Sequence, residues 1–520
     1  MDLERLPRPA VSSTPSFWLR GFHWGEAVRA QAGPAFAAIL GIAAVLRFAF
    51  LGRNSLWSDE ALVAWITRAH WRDIPALIRG DFHPPLYYLL MKAWAAVAGT
   101  GEAALRAPSA VLGVVSVLLV FLLARTAAPG PVALLSALLV SVAPSQIMIG
   151  QEARMQALLC ALALGSTLAL RGSVEHGGRL RWGGYIALAT LMAYTQYLGF
   201  LILVAHGLWV GCCARSRFLT WLAGMGLAAA LYAPWLPALW HHANGLPAWP
   251  NNVAFRNPLD LLGLFAFGGS VFGLGSYFLP GSGATIAQGG ILLPFLLIAG
   301  YGVRSMSSDR RSLALLGLPP AVTIGVLLAI SFVKPVFYPR WFVFLFPFYA
   351  VFVALGVVEL AGRAGRWRGP ALAALSAGLL ACSVPIVTRY YFDPQFRPFQ
   401  WRAAAAQVRQ LVRPGDFFLY SNQAAEISFT YYFRMPHPSL TLTPLEWTRR
   451  GTTAATFTNT RAQALVARYP RVWFIVTIPF TPAMQQRLLP VLNRVFGVAG
   501  SADYNQTKVF LLVPKAPAAH

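Results

Sequence analysis

Acidic residues are scarce: 18 Asp plus Glu stand in 520 residues, against 42 Lys plus Arg. Only 12% of the chain is charged, about half of what a soluble domain carries, which argues against a free-standing globule with a solvated surface. Cysteine is also rare. Cys160 and Cys382 lie in apolar runs, and Cys212 and Cys213 flank an Arg-rich loop. None is in a metal-ligand spacing, so neither a disulfide framework nor a zinc site is indicated. No signal-peptide pattern opens the chain. Residues 1–34 read as a polar cytoplasmic tail, and the first apolar run, 35–52, as a retained anchor. The net charge of +24 is dispersed in short Arg clusters. It does not form one basic stripe with interleaved aromatics, so nucleic acid is not an expected partner.

What abounds is apolar sequence: 57% of the residues, with a mean hydropathy of +0.56. Runs such as AFAAILGIAAVLRFAF and AVLGVVSVLLVFLLA approach the ~20 residues that cross a bilayer as a helix. They lack the alternation of barrel strands. The class is a polytopic α-helical membrane protein. Arg-rich connections at 171–181, 212–217, 304–311 and 363–368 read as cytoplasmic. The positive-inside rule then gives about eleven crossings. They fall near 35–52, 104–124, 131–149, 153–171, 184–198, 199–213, 219–238, 286–303, 312–333, 341–360 and 370–388. Two shorter apolar stretches, 83–99 and 259–275, are bounded by Pro or Gly and read as interfacial or re-entrant helices on the outer side. The transmembrane body is thus expected over 35–388, with an outer loop at 53–103. From 389 to 520 helical and strand-like runs alternate, including FFLYS, RVWFIVTIPF and KVFLLVP. They predict a small extracytoplasmic α/β domain. No Gly-rich nucleotide loop follows its strands, so the chemistry is expected elsewhere.

The polar residues on the outer side are few, and ionisable groups near a bilayer are costly and usually functional. Asp59 and Glu60 follow the first span. Asp81 and His83 precede the first interfacial segment. Gln151, Glu152 and Arg154 end the third span, Tyr194 to Tyr197 form another outer turn, and Lys334, Tyr338 and Arg340 lie between two late spans. A carboxylate within reach of a hydroxyl can take its proton as that oxygen attacks. Such a base works best with a neighbouring acid or partial burial, and Glu60 beside Asp59 is such a neighbour. Lys334 and Arg340 suit an anionic leaving group, of which phosphate is the obvious one.

WSDEA, HPPLYYLLMKAW, EAALRAPSAVLGVVSVLLVFLLAR, GQEARMQALL and KPVFYPRWFVFLFPFYA, in that order, resemble bacterial family 39-type glycosyltransferases of the GT-C superfamily. These are similar to protein O-mannosyltransferases and to lipid A aminoarabinose transferases. The resemblance spans most of residues 35–360. It implies an inner-membrane enzyme that transfers a sugar, with inversion, from a polyprenyl-phosphate donor to an acceptor on the outer face. It further implies Asp59 as the general base, Glu60 as an orienting residue, and Arg340 as a contact to the lipid phosphate, with Lys334, Tyr338 and His83 as further phosphate candidates. Gln151, Glu152 and Arg154 are candidates for substrate contact. No metal or other cofactor is expected. One departure stands out: an acid and a lysine precede the PPL segment in the aminoarabinose transferases, where this chain has Phe82 and His83, which argues against lipid A as acceptor.

Plainer roles remain open for the same residues. Asp59 and Glu60 suit a helix N-terminus, Glu152 and Arg154 a local ion pair, His83 a hydrogen-bond partner near Pro84 and Pro85, and Lys334 a snorkelling contact. A transporter or flippase of a lipid-linked sugar is the alternative function. It is disfavoured because the polar groups cluster at one face, not at the midplane of two related halves.

Overall fold

The structure is a computed structural model. It describes residues 33–79, 81–245, 283–333, 339–393, 399–442, 458–477 and 482–515. The polar N-terminal tail, the 259–275 segment, Lys334 and Tyr338 lie outside the described residues. Each of the eleven expected spans is helical. Among the described residues six helices are long and apolar enough to cross a membrane, including Glu102–Ala127, Gln156–His176, Arg310–Ser331 and Gly365–Phe392. A seventh is obtained if the bent pair Gly130–Val142 and Pro144–Gly150 counts as one span. Of the other expected crossings, Pro34–Phe48, Arg179–Ala193 and Gly199–Cys213 are shorter helices of 15 residues each, and Gly283–Ser305 is a helix of 23. The 83–99 stretch is the 13-residue helix Leu86–Ala98.

The bend of 62° in that pair matters because it delivers the Gln151–Arg154 turn. Pro144 has no N–H, so the Val140 carbonyl four residues earlier loses its helical donor. Arg47, fully buried, fills the gap. Its guanidinium donates to Ser141 O at 2.9 Å and Val140 O at 3.0 Å. Gly113 makes room, since a Cβ there would stand 2.6 Å from Arg47 Nε. A cation in the middle of an apolar run is thereby explained by the carbonyls that the broken helix releases.

Glycine also sets the closest helix contact. A Cβ at Gly302 would collide with the Phe352 carbonyl, and one at Gly356 with the Ile298 carbonyl. Small residues let the Gly283–Ser305 and Phe346–Gly362 backbones touch, the usual basis of helix association in lipid. Gly356→Ala should force them apart and cost about 1–3 kcal/mol, as overpacking does. The check is a lower midpoint of thermal inactivation in detergent.

The C-terminal domain holds one five-stranded sheet in the order β2-β1-β3-β5-β4. The strands are β1 (Phe417–Tyr420), β2 (Ser439–Thr441), β3 (Val472–Thr477), β4 (Phe496–Tyr504) and β5 (Thr507–Pro514). β1 runs parallel to β2 and β3, while β5 is antiparallel to β3 and β4. All four residues of β1 are buried because helices cover both faces. Phe418 and Tyr420 pack with Trp401 and Phe429 on one side. Phe417 and Leu419 pack with Leu488 and Leu492 on the other.

Candidate active site

Loop one begins where the Pro34–Phe48 helix ends and enters the Ser58–Arg68 helix through Trp57. The two acids at that helix start part company. Glu60 is 1% exposed, and Arg106 on the Glu102–Ala127 helix holds it bidentately. Nε reaches Oε1 at 2.7 Å and Nη2 reaches Oε2 at 2.6 Å. Glu60 Oε1 also accepts from Ala153 N at 2.8 Å, and Oε2 from Trp57 N at 3.3 Å. Arg106 donates in addition to the carbonyls of Leu51, Asn54 and Ser55. Glu60, expected as the orienting acid beside the base Asp59, is therefore drawn inside. It joins loop one, the Glu102–Ala127 helix and the 151–155 turn. The helix-capping role left open for it is the one its Trp57 contact fills.

Asp59 points the other way, with its side chain 22% exposed and its Oδ2 3.3 Å from Arg154 Nη2. Arg154 is buried and also acts electrostatically on Asp81. Burial opposes its charge, but the acids around it, Asp59 foremost, push its pKa up. Its Nε, also buried, meets no hydrogen-bond acceptor among the described residues. Asp81 Oδ2 lies 3.1 Å from His83 Nδ1 and accepts the Tyr88 hydroxyl. Burial alone would raise the Asp81 carboxyl. His83, Arg154 and Tyr88 outweigh it and hold the group below the usual carboxylate range.

Arg340 closes the cluster from the far end of the sequence. Its guanidinium lies 4.5 Å from the centre of the Trp57 ring, a cation–π contact, and its Nη2 bonds Glu152 Oε2. Burial of Glu152 exceeds the pull of Arg340 and pushes that carboxyl up to about 7. Asp59, His83, Glu152, Arg154 and Arg340 thus lie in one connected set. Gln151 does a different job: its Nε2 donates to the carbonyls of Leu46, Arg47 and Ala49 at 3.1, 3.2 and 2.8 Å, capping the first helix.

Three members of this set were not singled out in the sequence: Arg106, Trp57 and Tyr88. Arg106 had a readable signal, since a lone arginine in an apolar span needs a carboxylate or carbonyls. Among the described residues, no group of three or more His, Cys, Asp or Glu side chains is placed to hold a metal ion.

Residues 82–240 match the family model described as dolichyl-phosphate-mannose-protein mannosyltransferase. The whole fold has solved counterparts. ArnT from Cupriavidus metallidurans in the apo state is 15% identical, with a TM-score of 0.58 over 91% of this chain and 97% of that one. Over residues 82–240 the chain is thus similar to a protein mannosyltransferase family, and its fold is that of ArnT. A second ArnT structure, bound to undecaprenyl phosphate, is 16% identical at a TM-score of 0.56, over the same 91% and 97%. The Archaeoglobus fulgidus oligosaccharyltransferase, in complex with Zn and sulfate, is 11% identical at a TM-score of 0.52, covering 92% of this chain and 72% of its own. No curated protein matches the sequence. The family match includes His83, Glu152 and Arg154 but neither Asp59 nor Arg340, so the case for those two rests on geometry.

Proposed function

We propose that the chain transfers a sugar from a polyprenyl-phosphate donor to a hydroxyl acceptor at the outer membrane face, with inversion, and that Asp59 is the general base. The observation that carries this reading is the meeting of sequence-distant groups of opposite duty. Arg340 lies over Trp57, which precedes Asp59 by two residues in the chain, and Arg154 pairs with Asp59 itself. A base for the attacking hydroxyl and cations for the departing phosphate are what such a displacement needs. Arg340 and Arg154 would neutralise charge that grows on the leaving phosphate, and the unmatched Nε of Arg154 is a ready donor. The ArnT neighbour that holds undecaprenyl phosphate supports the choice of donor class.

The test incubates purified protein in lipid with a radiolabelled polyprenyl-phosphate hexose and candidate acceptors. Arg340→Ala should raise the donor KM at least tenfold, the size of a lost charge-assisted hydrogen bond. An unchanged donor KM would remove Arg340 from the phosphate site. Donor that crosses the bilayer with its sugar still attached would favour the flippase alternative.

Glu152 adds a pH dependence whose sign follows from its raised carboxyl. Ionised, it competes with the donor phosphate for Arg340. Protonated, below about 7, it ceases to be an anionic rival. Donor affinity should therefore rise as pH falls through about 7, and donor binding should take up a proton. Calorimetry in buffers of different ionisation enthalpy measures that uptake. Glu152→Gln should abolish it and flatten the donor KM between pH about 6 and 8; a profile identical to the parent's would refute the coupling.

A further inference from the structure

A second charged feature lies on the side of loop one toward the C-terminal domain. A cavity of about 460 Å³ opens there, lined by Glu102, Arg402, Arg409, Tyr431, Tyr432 and Arg434. Three guanidinium groups face one carboxylate, which leaves two positive charges unmatched within the lining. Arg68, at the end of the Ser58–Arg68 helix, adds another. Its guanidinium lies 4.8 Å from the Tyr431 ring centre, and that of Arg434 lies 5.8 Å from the same ring. Like charges are thus gathered around one aromatic ring, where they repel unless an anion joins them. Partial burial, and then the nearby Arg434, lower the Arg68 pKa.

The protein's own bonds leave much of this donor capacity unused. Arg402 pairs with Glu102 and donates to Gly52 O. Arg409 and Arg434 are held by single contacts to the Tyr432 and Tyr431 carbonyls, at 2.7 and 3.3 Å. Both remain exposed, and each fork has further N–H groups to offer. The height of the cleft is marked by aromatics. Trp65, Trp71 and Trp94 are exposed large hydrophobics on the outer loop. Trp94 donates to Ala104 O beside the cleft wall, and Arg68 reaches Thr100 Oγ1. Exposed tryptophans of this kind settle at the headgroup level of a bilayer, where basic residues attract anionic lipid.

We propose that this cleft binds a phosphate-class anion, namely the phosphodiester headgroup of an anionic membrane lipid, between Arg68, Arg402, Arg409 and Arg434. The site is separate from the Asp59–Arg340 cluster and does not depend on the transfer reaction. It lies where the C-terminal domain grips loop one: Tyr432 Oη accepts from Leu56 N at 2.7 Å and donates to Glu102 Oε1 at 2.8 Å.

The experiment uses the full chain in phosphatidylcholine nanodiscs with graded phosphatidylglycerol, and reads retained lipid by native mass spectrometry. Arg409→Gln/Arg434→Gln should weaken phosphatidylglycerol retention roughly thirtyfold, from about one interfacial charge's worth of attraction each. Arg366→Gln/Arg368→Gln removes the same charge from an exposed turn elsewhere and should leave retention at the parent level. Arg434→Gln alone keeps the Arg409 contact to Tyr432 and serves if the double variant melts early in neutral lipid. Inorganic phosphate that displaces the lipid would show that the phosphate itself is read. Failure to displace it, with the variant effect intact, would show that the diester and its chains are needed. Equal retention by Arg409→Gln/Arg434→Gln, Arg434→Gln and the parent, or equal losses in the Arg366 and Arg368 control, would overturn the site.

Discussion

Asp59→Asn should lower kcat by about 10²–10⁴, the usual contribution of a positioned general base, with the donor KM within a few-fold of the parent's. The amide keeps the size of the carboxyl and can still accept from Arg154, which lies 3.3 Å away, so the local fold should survive. What it loses is the ability to take a proton from the acceptor hydroxyl. The choice of Asp59 over its neighbour follows from where the two side chains go. One is 22% exposed beside a buried cation; the other is enclosed by Arg106 and two backbone N–H groups. A single-turnover assay separates chemistry from donor binding. If donor affinity fell as far as kcat, Asp59 would be assembling the site through Arg154, and another group would have to remove the proton.

Much of the architecture was written in periodicity and charge. Among the described residues each apolar run is helical, and FFLYS, RVWFIVTIPF and KVFLLVP supply strands β1, β3 and β5, because apolar length and β-branched content report burial directly. Strands β2 and β4 escaped. β4, Phe496–Tyr504, is largely exposed, and as an edge strand it is held by its ladder with β5, which leaves little apolar pattern to read. At the site, the sequence picked out Asp59, His83, Glu152, Arg154 and Arg340, but not which would pair. Arg47 and Gln151 meet backbone carbonyls freed by the break at Pro144 and by a helix end, and Arg106 meets carbonyls of loop one. Such demands appear only once the chain has folded. For the same reason the sequence did not show that the adjacent acids of WSDEA enter different surroundings, since a helix start rotates successive side chains about 100° apart.

Arg106→Met should destabilise the protein by about 3–5 kcal/mol, because it leaves the Glu60 carboxylate buried without its cation. Arg106 is 5% exposed and Glu60 1%, so water cannot take over the lost bonds without opening the packing. The loss should extend to activity by a route different from that of Asp59. Arg106 also holds the Leu51, Asn54 and Ser55 carbonyls, so loop one would loosen just before Trp57 and Asp59. The decisive variant is the pair Glu60→Gln/Arg106→Met, which removes both charges while keeping the side-chain volumes close. It should recover most of the thermal midpoint lost in Arg106→Met, since the chief penalty is an unpaired buried charge and not the absence of an ion pair. With the midpoint restored, kcat should stay well above that of Asp59→Asn if Glu60 only positions the loop. A paired variant that is stable yet as inactive as Asp59→Asn would return Glu60 to the reacting groups.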